Sequence, residues 1–255
     1  MIDSLRRLPK QLAARRAPKV RSGPGRGLRI GRAEASADYR EGSNELAVQT
    51  ALADVLRPGH VFFDVGANVG FFAMLAARIV GPTGSAVAFE PVPANVAQVR
   101  ANARRNQLDN VTVLELAVGA TDGSATLSLA AHPGGAALAS AAPPPDPIGS
   151  IDVAVASIDA LMSARRIPPP DVVKVDVEGA EADVLRGMAT TLREHGPVVL
   201  CEIDDSAQDA LAEKRRATAG LLEQAGYEIR WLDPSYDDND WLVQHFIATP
   251  GGGEA

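Results

Sequence analysis

The run FFDVGANVGFF, residues Phe62 to Phe72, decides the fold. An apolar stretch ends in an acid, two glycines bracket Ala-Asn-Val, and a second apolar stretch follows. That order reads as strand, tight loop and helix start, the arrangement by which α/β proteins hold a nucleotide. The loop Gly66-Ala67-Asn68-Val69-Gly70 is not G-x-G-x-x-G, and no Lys-Ser/Thr follows it. Neither a pyrophosphate nor a triphosphate finds its usual cradle here. The glycines still permit close backbone approach, and a helix N-terminus still favours a carboxylate.

Outward from this run the pattern alternates. A helix is expected over residues 44–56, capped by Ser43, with Val48, Leu52, Val55 and Leu56 on one face. HVFFDV reads as a buried strand and residues 69–80 as a helix that is apolar nearly all round. SAVAFEP is a second strand, residues 94–106 a helix and NVTVLELAVG a third strand. After DVVKVDV, a helix is expected over 180–194, then the strand PVVLCEI, a helix over 206–225, and the strands YEIRWL and HFIATP. The acidic turn Asp237-Asp238-Asn239-Asp240 makes those last two an antiparallel hairpin. Strand–helix alternation of this kind predicts a parallel sheet with helices on both faces.

Residues 119–170 break the rhythm. ATLSLA and IDVAVASI are strand-like, and a loop of alanine, glycine and proline lies between them. This reads as an insertion. The expected organisation is a basic, poorly structured arm over 1–32, one domain over 33–250 containing that insertion, and a tail over 251–255.

Composition narrows the function. A chain of 255 residues with 46% hydrophobic and 22% charged residues is an ordinary globular one. Residues 1–32 hold ten of the 25 Lys/Arg and one of the 32 acids, which leaves 15 basic against 31 acidic residues in the body. An acidic body with few aromatics argues against nucleic acid as partner. No apolar run reaches the ~18–20 residues of a membrane helix, so no membrane partner is expected. The basic N-terminus lacks the apolar core of a secretory signal and reads as a loosely docked arm. The single cysteine, Cys201, lies within VVLCEI as a core residue and suits a reducing, cytoplasmic setting.

In an open parallel sheet, ligands bind beyond the C-terminal strand ends. The residues there are Asp64, Glu90, Ala117-Val118, Asp176-Val177-Glu178 and Glu202. Four of these five positions supply an acid, whereas a phosphate pocket wants cations. Glu90 ends the second strand, where an acid accepts hydrogen bonds from ribose hydroxyls. S-adenosylmethionine fits: it carries a ribose, a carboxylate and two positive groups, and no phosphate.

GHVFFDVGANVGFF, AFEPVPANVAQVRANARRN, NVTVLELAVG and VVKVDVEGAEADVLRG together resemble the FkbM family of S-adenosylmethionine-dependent methyltransferases. The similarity runs from about Glu45 to Asp204, and its most specific piece is KVDVEGAE, residues 174–181. The resemblance implies a Rossmann-like class I methyltransferase fold, a mostly parallel seven-stranded sheet with a reversed last strand. It places Asp64, Gly66, Asn68 and Gly70 around the methionine end of the cofactor and Glu90 on the ribose. Ala117 and Val118 would flank the adenine, with Asp122 nearby, and Asp176 would face the methyl group and the acceptor.

Methyl transfer needs the acceptor aligned with the sulfonium, and a hydroxyl acceptor needs its proton removed. Asp176 and His132, the latter in the insertion, are the candidate catalytic residues. Asp176 and Glu202, on neighbouring strand ends, are candidate ligands for a divalent ion such as Mg2+. Glu178-Gly179 reads equally as a cap for the next helix, and Lys174 as the partner of a nearby acid. His60, His195 and His245 begin or precede strands and are expected away from the chemistry. The expected activity is O-methylation of a hydroxyl on a small molecule, a natural product or sugar, by a homodimer. An N-methyltransferase on a small amine, a non-catalytic nucleotide-binding domain of the same fold, and a dehydrogenase are the alternatives.

Overall fold

The computed structural model describes residues 17–31, 37–130, 136–138, 147–235 and 242–252. Its helices are α1 (Ala37–Glu41), α2 (Leu46–Val55), α3 (Phe71–Val80), α4 (Pro93–Asn106), α5 (Ile158–Ser163), α6 (Glu181–Arg186), α7 (Ala189–His195) and α8 (Gln208–Gln224). Its strands are β1 (Val61–Val65), β2 (Ser85–Phe89), β3 (Val111–Leu114), β4 (Ala117–Val118), β5 (Gly123–Ala130), β6 (Ala136–Leu138), β7 (Pro147–Ala156), β8 (Val172–Val175), β9 (Val198–Asp205), β10 (Tyr227–Trp231) and β11 (Leu242–Pro250).

Seven strands form the main sheet in the order β10-β11-β9-β8-β1-β2-β3. β1, β2, β3, β8 and β9 run parallel, and β11 runs antiparallel to both β9 and β10. The reversed last strand is therefore present. Buried on both faces, the central strands read as continuous apolar runs. Successive side chains go to opposite cores: Phe62 packs with α2, α3 and α4, and Phe63 with α5, α6, α7 and α8. The strand order changes direction at β1, so the crevice beyond the C-terminal ends of β1 and β8 is the topological switch point.

Several expectations are corrected. NVTVLELAVG is two strands: β3 joins the main sheet, while β4 joins a second, four-stranded sheet in the order β4-β7-β5-β6. The helix expected over 180–194 breaks into α6 and α7 at Gly187-Met188. A Cβ on Gly187 would lie 2.0 Å from the Gly119 carbonyl oxygen, so glycine allows the broken helix to rest on the end of β4. Ser43 caps nothing. Glu45 is the N-cap of α2, in the left-handed region at φ 44, without a capping side-chain bond. Within the stretch expected to hold little packed structure, Val20, Leu28 and Ile30 enter the core against α2 and α3. Among the described residues, no helix is long and apolar enough to cross a membrane.

Candidate active site

The first strand delivers Asp64 and Gly66 to the crevice. Asp64 is 1% exposed; one carboxylate oxygen faces the Ala73 N–H in the first turn of α3, and Oδ2 has no hydrogen-bond partner. Burial pushes its carboxyl up to about 6. Gly66 has φ 82, and a Cβ there would lie 1.7 Å from the Asp176 carbonyl oxygen. Glycine thus lets the first loop and the KVDVEGAE loop touch backbone to backbone. The Gly66 and Ala67 N–H groups donate to the Phe89 carbonyl at 3.0 and 3.1 Å, binding the loop to the end of β2.

Glu90 follows β2 directly and is 4% exposed. Its Oε2 accepts the Asn68 N–H at 2.7 Å; its Oε1 accepts the Val92 N–H at 2.9 Å and the Asn95 amide at 3.3 Å. Burial nevertheless raises its carboxyl to about 7. Asn68 stands at φ 49, a conformation that asparagine tolerates better than most residues.

A second group of side chains crosses the main sheet on the face of α2 and α3. The strand register puts Asp64 beside Lys174, Lys174 beside Leu200, and Glu202 beside His245. With a period of two, Asp64, Lys174, Asp176, Glu202 and His245 share that face. The Lys174 ammonium is 2.6 Å from Asp176 Oδ2, 3.7 Å from Glu45 Oε2 and 4.5 Å from the centre of the Phe72 ring. Burial opposes its charge, but Asp176, Glu45, Glu202 and Asp64 hold it protonated. His245 Nε2 lies 2.6 Å from Glu202 Oε2 and 3.5 Å from Glu45 Oε2. Burial alone would lower the imidazole; its bonds to Glu202 and Glu45 carry it to about 9. Burial and the Asp176 charge push Glu202 up to about 8. Glu178 reaches about 9 through burial and the charges of Asp176, Asp204 and Glu202. Its backbone is left-handed at φ 56.

The anchor of Glu45 is local. Gln49, fully buried, donates to the Asn44 carbonyl at 2.6 Å and accepts the Gly25 N–H at 3.1 Å, tying residues 17–31 to the start of α2.

Residues 64–229 match the family described as Methyltransferase FkbM domain. The 31-O-demethyl-FK506 methyltransferase FkbM of Streptomyces tacrolimicus is 34% identical over 201 residues, covering 68% of this chain and 75% of that protein. The chain belongs to the FkbM methyltransferase family. The hexuronic acid methyltransferase AglP of Haloferax volcanii is 32% identical over 133 residues, 52% of each chain. Among solved structures, the O-methyltransferase from Bacillus cereus in complex with SAH aligns with a TM-score of 0.51 at 12% identity, over 85% of this chain and 84% of its own. That likeness bears on the fold.

As an FkbM-family S-adenosylmethionine-dependent methyltransferase, the protein brings Asp64, Gly66, Asn68, Glu90 and Asp176 to one crevice. The donor chemistry fits the cofactor: Asp64 Oδ2 is a buried acceptor without a partner, and the acids outnumber Lys174 and His245. Gly70, at φ 81, is the N-cap of α3, and a Cβ there would lie 2.9 Å from the Val99 side chain. Ala117 and Val118 are buried in β4 with their side chains in the protein core. Asp122 accepts the Ser157 N–H at 2.9 Å at the start of α5. His132 lies outside the described residues.

The pair Asp176 and Glu202 is not arranged as metal ligands. Lys174 occupies the Asp176 carboxylate and His245 the Glu202 carboxylate, so a divalent ion between them would meet an ammonium held in the same cluster. Glu45, Glu202 and His245 do bring one ligand atom each within 4.8 Å of one another, but a set that includes an imidazole nitrogen does not favour Mg2+. Glu178-Gly179 does not cap α6 through the Glu178 side chain; the Glu181 carboxylate instead accepts the Gly179 N–H at 2.8 Å.

Two members of the cluster, Glu45 and His245, escaped the sequence reading. The strand assigned to HFIATP begins earlier, at Leu242, which moves His245 from a strand start to its middle. The alternation Val243, His245, Ile247 was the available signal, since it puts the histidine on the same face as a core isoleucine. Glu45 carried none.

Proposed function

We propose that the protein O-methylates a neutral hydroxyl on a small molecule. S-adenosylmethionine supplies an electrophilic methyl group on a sulfonium. Glu90 is placed to accept the ribose hydroxyls, Asp64 Oδ2 to accept a cationic group, and the Asn68 side chain to meet the methionine end. Asp176 is the proposed contact for the methyl and acceptor side. The second sheet, inserted at residues 117–156, is the proposed border of the acceptor cavity.

The observation that carries the acceptor class is the charge at the ends of β8 and β9. Asp176, Glu178, Glu202 and Asp204 stand there together, and the Lys174 ammonium behind them is already paired. Lys174 and His245 are already paired within the cluster, so a carboxylated acceptor would meet acids and no free cation among them, whereas a hydroxyl would find acceptors for its proton. In this respect the site does not match the hexuronic acid in the name of one relative.

Calorimetry tests the cofactor: S-adenosylmethionine and S-adenosylhomocysteine should bind and NAD should not. Transfer of a labelled methyl group then tests the acceptor. The probes are 31-O-demethyl-FK506, methyl α-glucoside, glucuronic acid and glucosamine. Label on a hydroxyl of a neutral probe is expected. Label on the glucosamine nitrogen alone, or on glucuronic acid in preference to the glucoside, would contradict the reading.

A further inference from the structure

The buried cluster contains more than a cofactor site requires. Glu90 and Asp64 suffice for the charges and hydroxyls of the cofactor. Glu202, His245 and Glu45 lie further along the same sheet face, on β9, β11 and the start of α2. Three elements distant in sequence converge on one point, and two of them bring groups that carry protons.

Exposure separates the members. The side chain of His245 is 3% exposed and that of Glu45 is 7% exposed, while Glu202 at 14% and Asp176 at 23% reach the open end of the strands. Both could meet an acceptor. Asp176 Oδ2 is held by the Lys174 ammonium at 2.6 Å, and burial, the larger effect, still leaves its carboxyl raised. Glu202 Oε2 is held by the His245 imidazole at 2.6 Å, and that imidazole is backed in turn by Glu45 Oε2 at 3.5 Å. The groups facing His245 are Glu202 from β9, Glu45 from the start of α2, and Lys174 and Asp176 from β8. Ser235 Oγ, beyond β10, lies 3.4 Å from Nδ1. Tyr39 of α1 lies in the field of Glu45, Lys174, Asp176 and Glu202.

We propose that Glu202 takes the proton of the hydroxyl being methylated and that His245, backed by Glu45, is the positioning residue that holds Glu202 for it. The inference rests on the methyl-transfer reading above. The acceptor oxygen forms the new O–C bond as its O–H bond breaks. The proton goes to a Glu202 carboxylate oxygen, and the electron pair of the broken C–S bond stays on sulfur. The proton then leaves to solvent along the exposed edge of Glu202.

Two measurements on the full chain test this. The first is a histidine-labelled NMR titration with S-adenosylhomocysteine bound, His245→Asn identifying the resonance. The His245 signal should stay protonated beyond pH 8, and in Glu202→Gln should titrate near the ordinary ~6.5. A signal near that ordinary value in the unaltered protein, unmoved by Glu202→Gln, would overturn the dyad.

The second is initial rates with whichever of 31-O-demethyl-FK506 and methyl α-glucoside is turned over. Glu202→Gln should lower kcat about 100-fold with the KM for S-adenosylmethionine unchanged. His245→Asn should lower kcat about tenfold and displace the rising alkaline limb of the pH profile. An unchanged kcat in Glu202→Gln would overturn the proposal. Glu202→Gln is nearly isosteric and stays testable if His245→Asn fails to fold. If neither probe is turned over, the titration decides alone. Loss of S-adenosylmethionine binding in the unaltered protein would fault the cofactor reading, whereas intact binding with a failed titration would fault the dyad alone.

Discussion

The two halves of the crevice are built differently. The half proposed for the cofactor, at the ends of β1 and β2, is made of loop backbone and of two acids 26 residues apart, Asp64 and Glu90. Its contacts are short-range or between adjacent strands: Gly66 against Asp176, Asn68 N–H on Glu90. The half proposed for the acceptor, beside β8 and β9, is made of side chains from residues 45, 174, 176, 202 and 245, joined by charge. A backbone cradle tolerates changes of side chain, but a buried ionic cluster does not tolerate the loss of one member. The first half should therefore fail through affinity and the second through stability and proton balance.

Lys174→Met should produce the largest effect. It removes the ammonium shared by Asp176 and Glu45, leaving buried acids uncompensated, and breaking such a pair costs about 3–5 kcal/mol. Urea unfolding measures it; a loss under about 1 kcal/mol would show that the acids are neutral or hydrated without the lysine.

The pH dependence of the unliganded protein should come next. Asp64, Glu90 and Glu202 are raised to about 6, 7 and 8, so the folded state holds protons that the unfolded chain has released. Their contribution to stability is complete at pH values below about 4 and is lost as pH rises through the folded-state values. His245, raised to about 9, adds a further loss as pH rises through that value. The melting temperature should fall steadily from pH 5 to pH 9. A flat or rising profile would contradict the account of the crevice as lined by buried, proton-holding groups.

Glu90→Ala addresses the other half. Removing a carboxylate that binds the loop and is proposed to bind the ribose should weaken S-adenosylmethionine binding about 100-fold, since each hydrogen bond to a charged group contributes about 1.5–3 kcal/mol. Unchanged affinity by calorimetry would remove Glu90 from the ribose.

Asn68→Gly sharpens the comparison at the smallest scale. Glycine keeps the φ of 49 and removes the side chain. If that side chain meets the methionine end, affinity should drop about tenfold. Full affinity would assign Asn68 to backbone conformation alone.

Legibility in the sequence follows the same division. β1, β2, β8 and β9 are apolar runs punctuated by glycine, proline or acid, and such patterns are local. The parallel sheet and the positions of Asp64, Glu90 and Asp176 at or just after strand ends followed from them, while the count of seven strands came from the family resemblance, and β9 runs on past Glu202 to Asp205. The break at Gly187-Met188 was hidden because Val184, Leu185, Met188 and Leu192 keep a helical spacing through it. The split between β3 and β4 was hidden because NVTVLELAVG keeps apolar residues on both sides of Glu115, and only the second sheet separates its halves. The meeting of Glu45, Glu202 and His245 depends on the antiparallel register of β11 and on a left-handed residue before α2. The alternation Val243, His245, Ile247 marks only the face of the histidine, and nothing local marks Glu45.

The most direct test of the divided site is a crystal structure of the full chain with S-adenosylhomocysteine. The account predicts ribose hydroxyls on the Glu90 carboxylate, the cofactor ammonium toward Asp64, and the thioether sulfur turned to the Asp176–Glu202 rim. A ribose away from Glu90, or a sulfur facing any part of the crevice other than that rim, would contradict it.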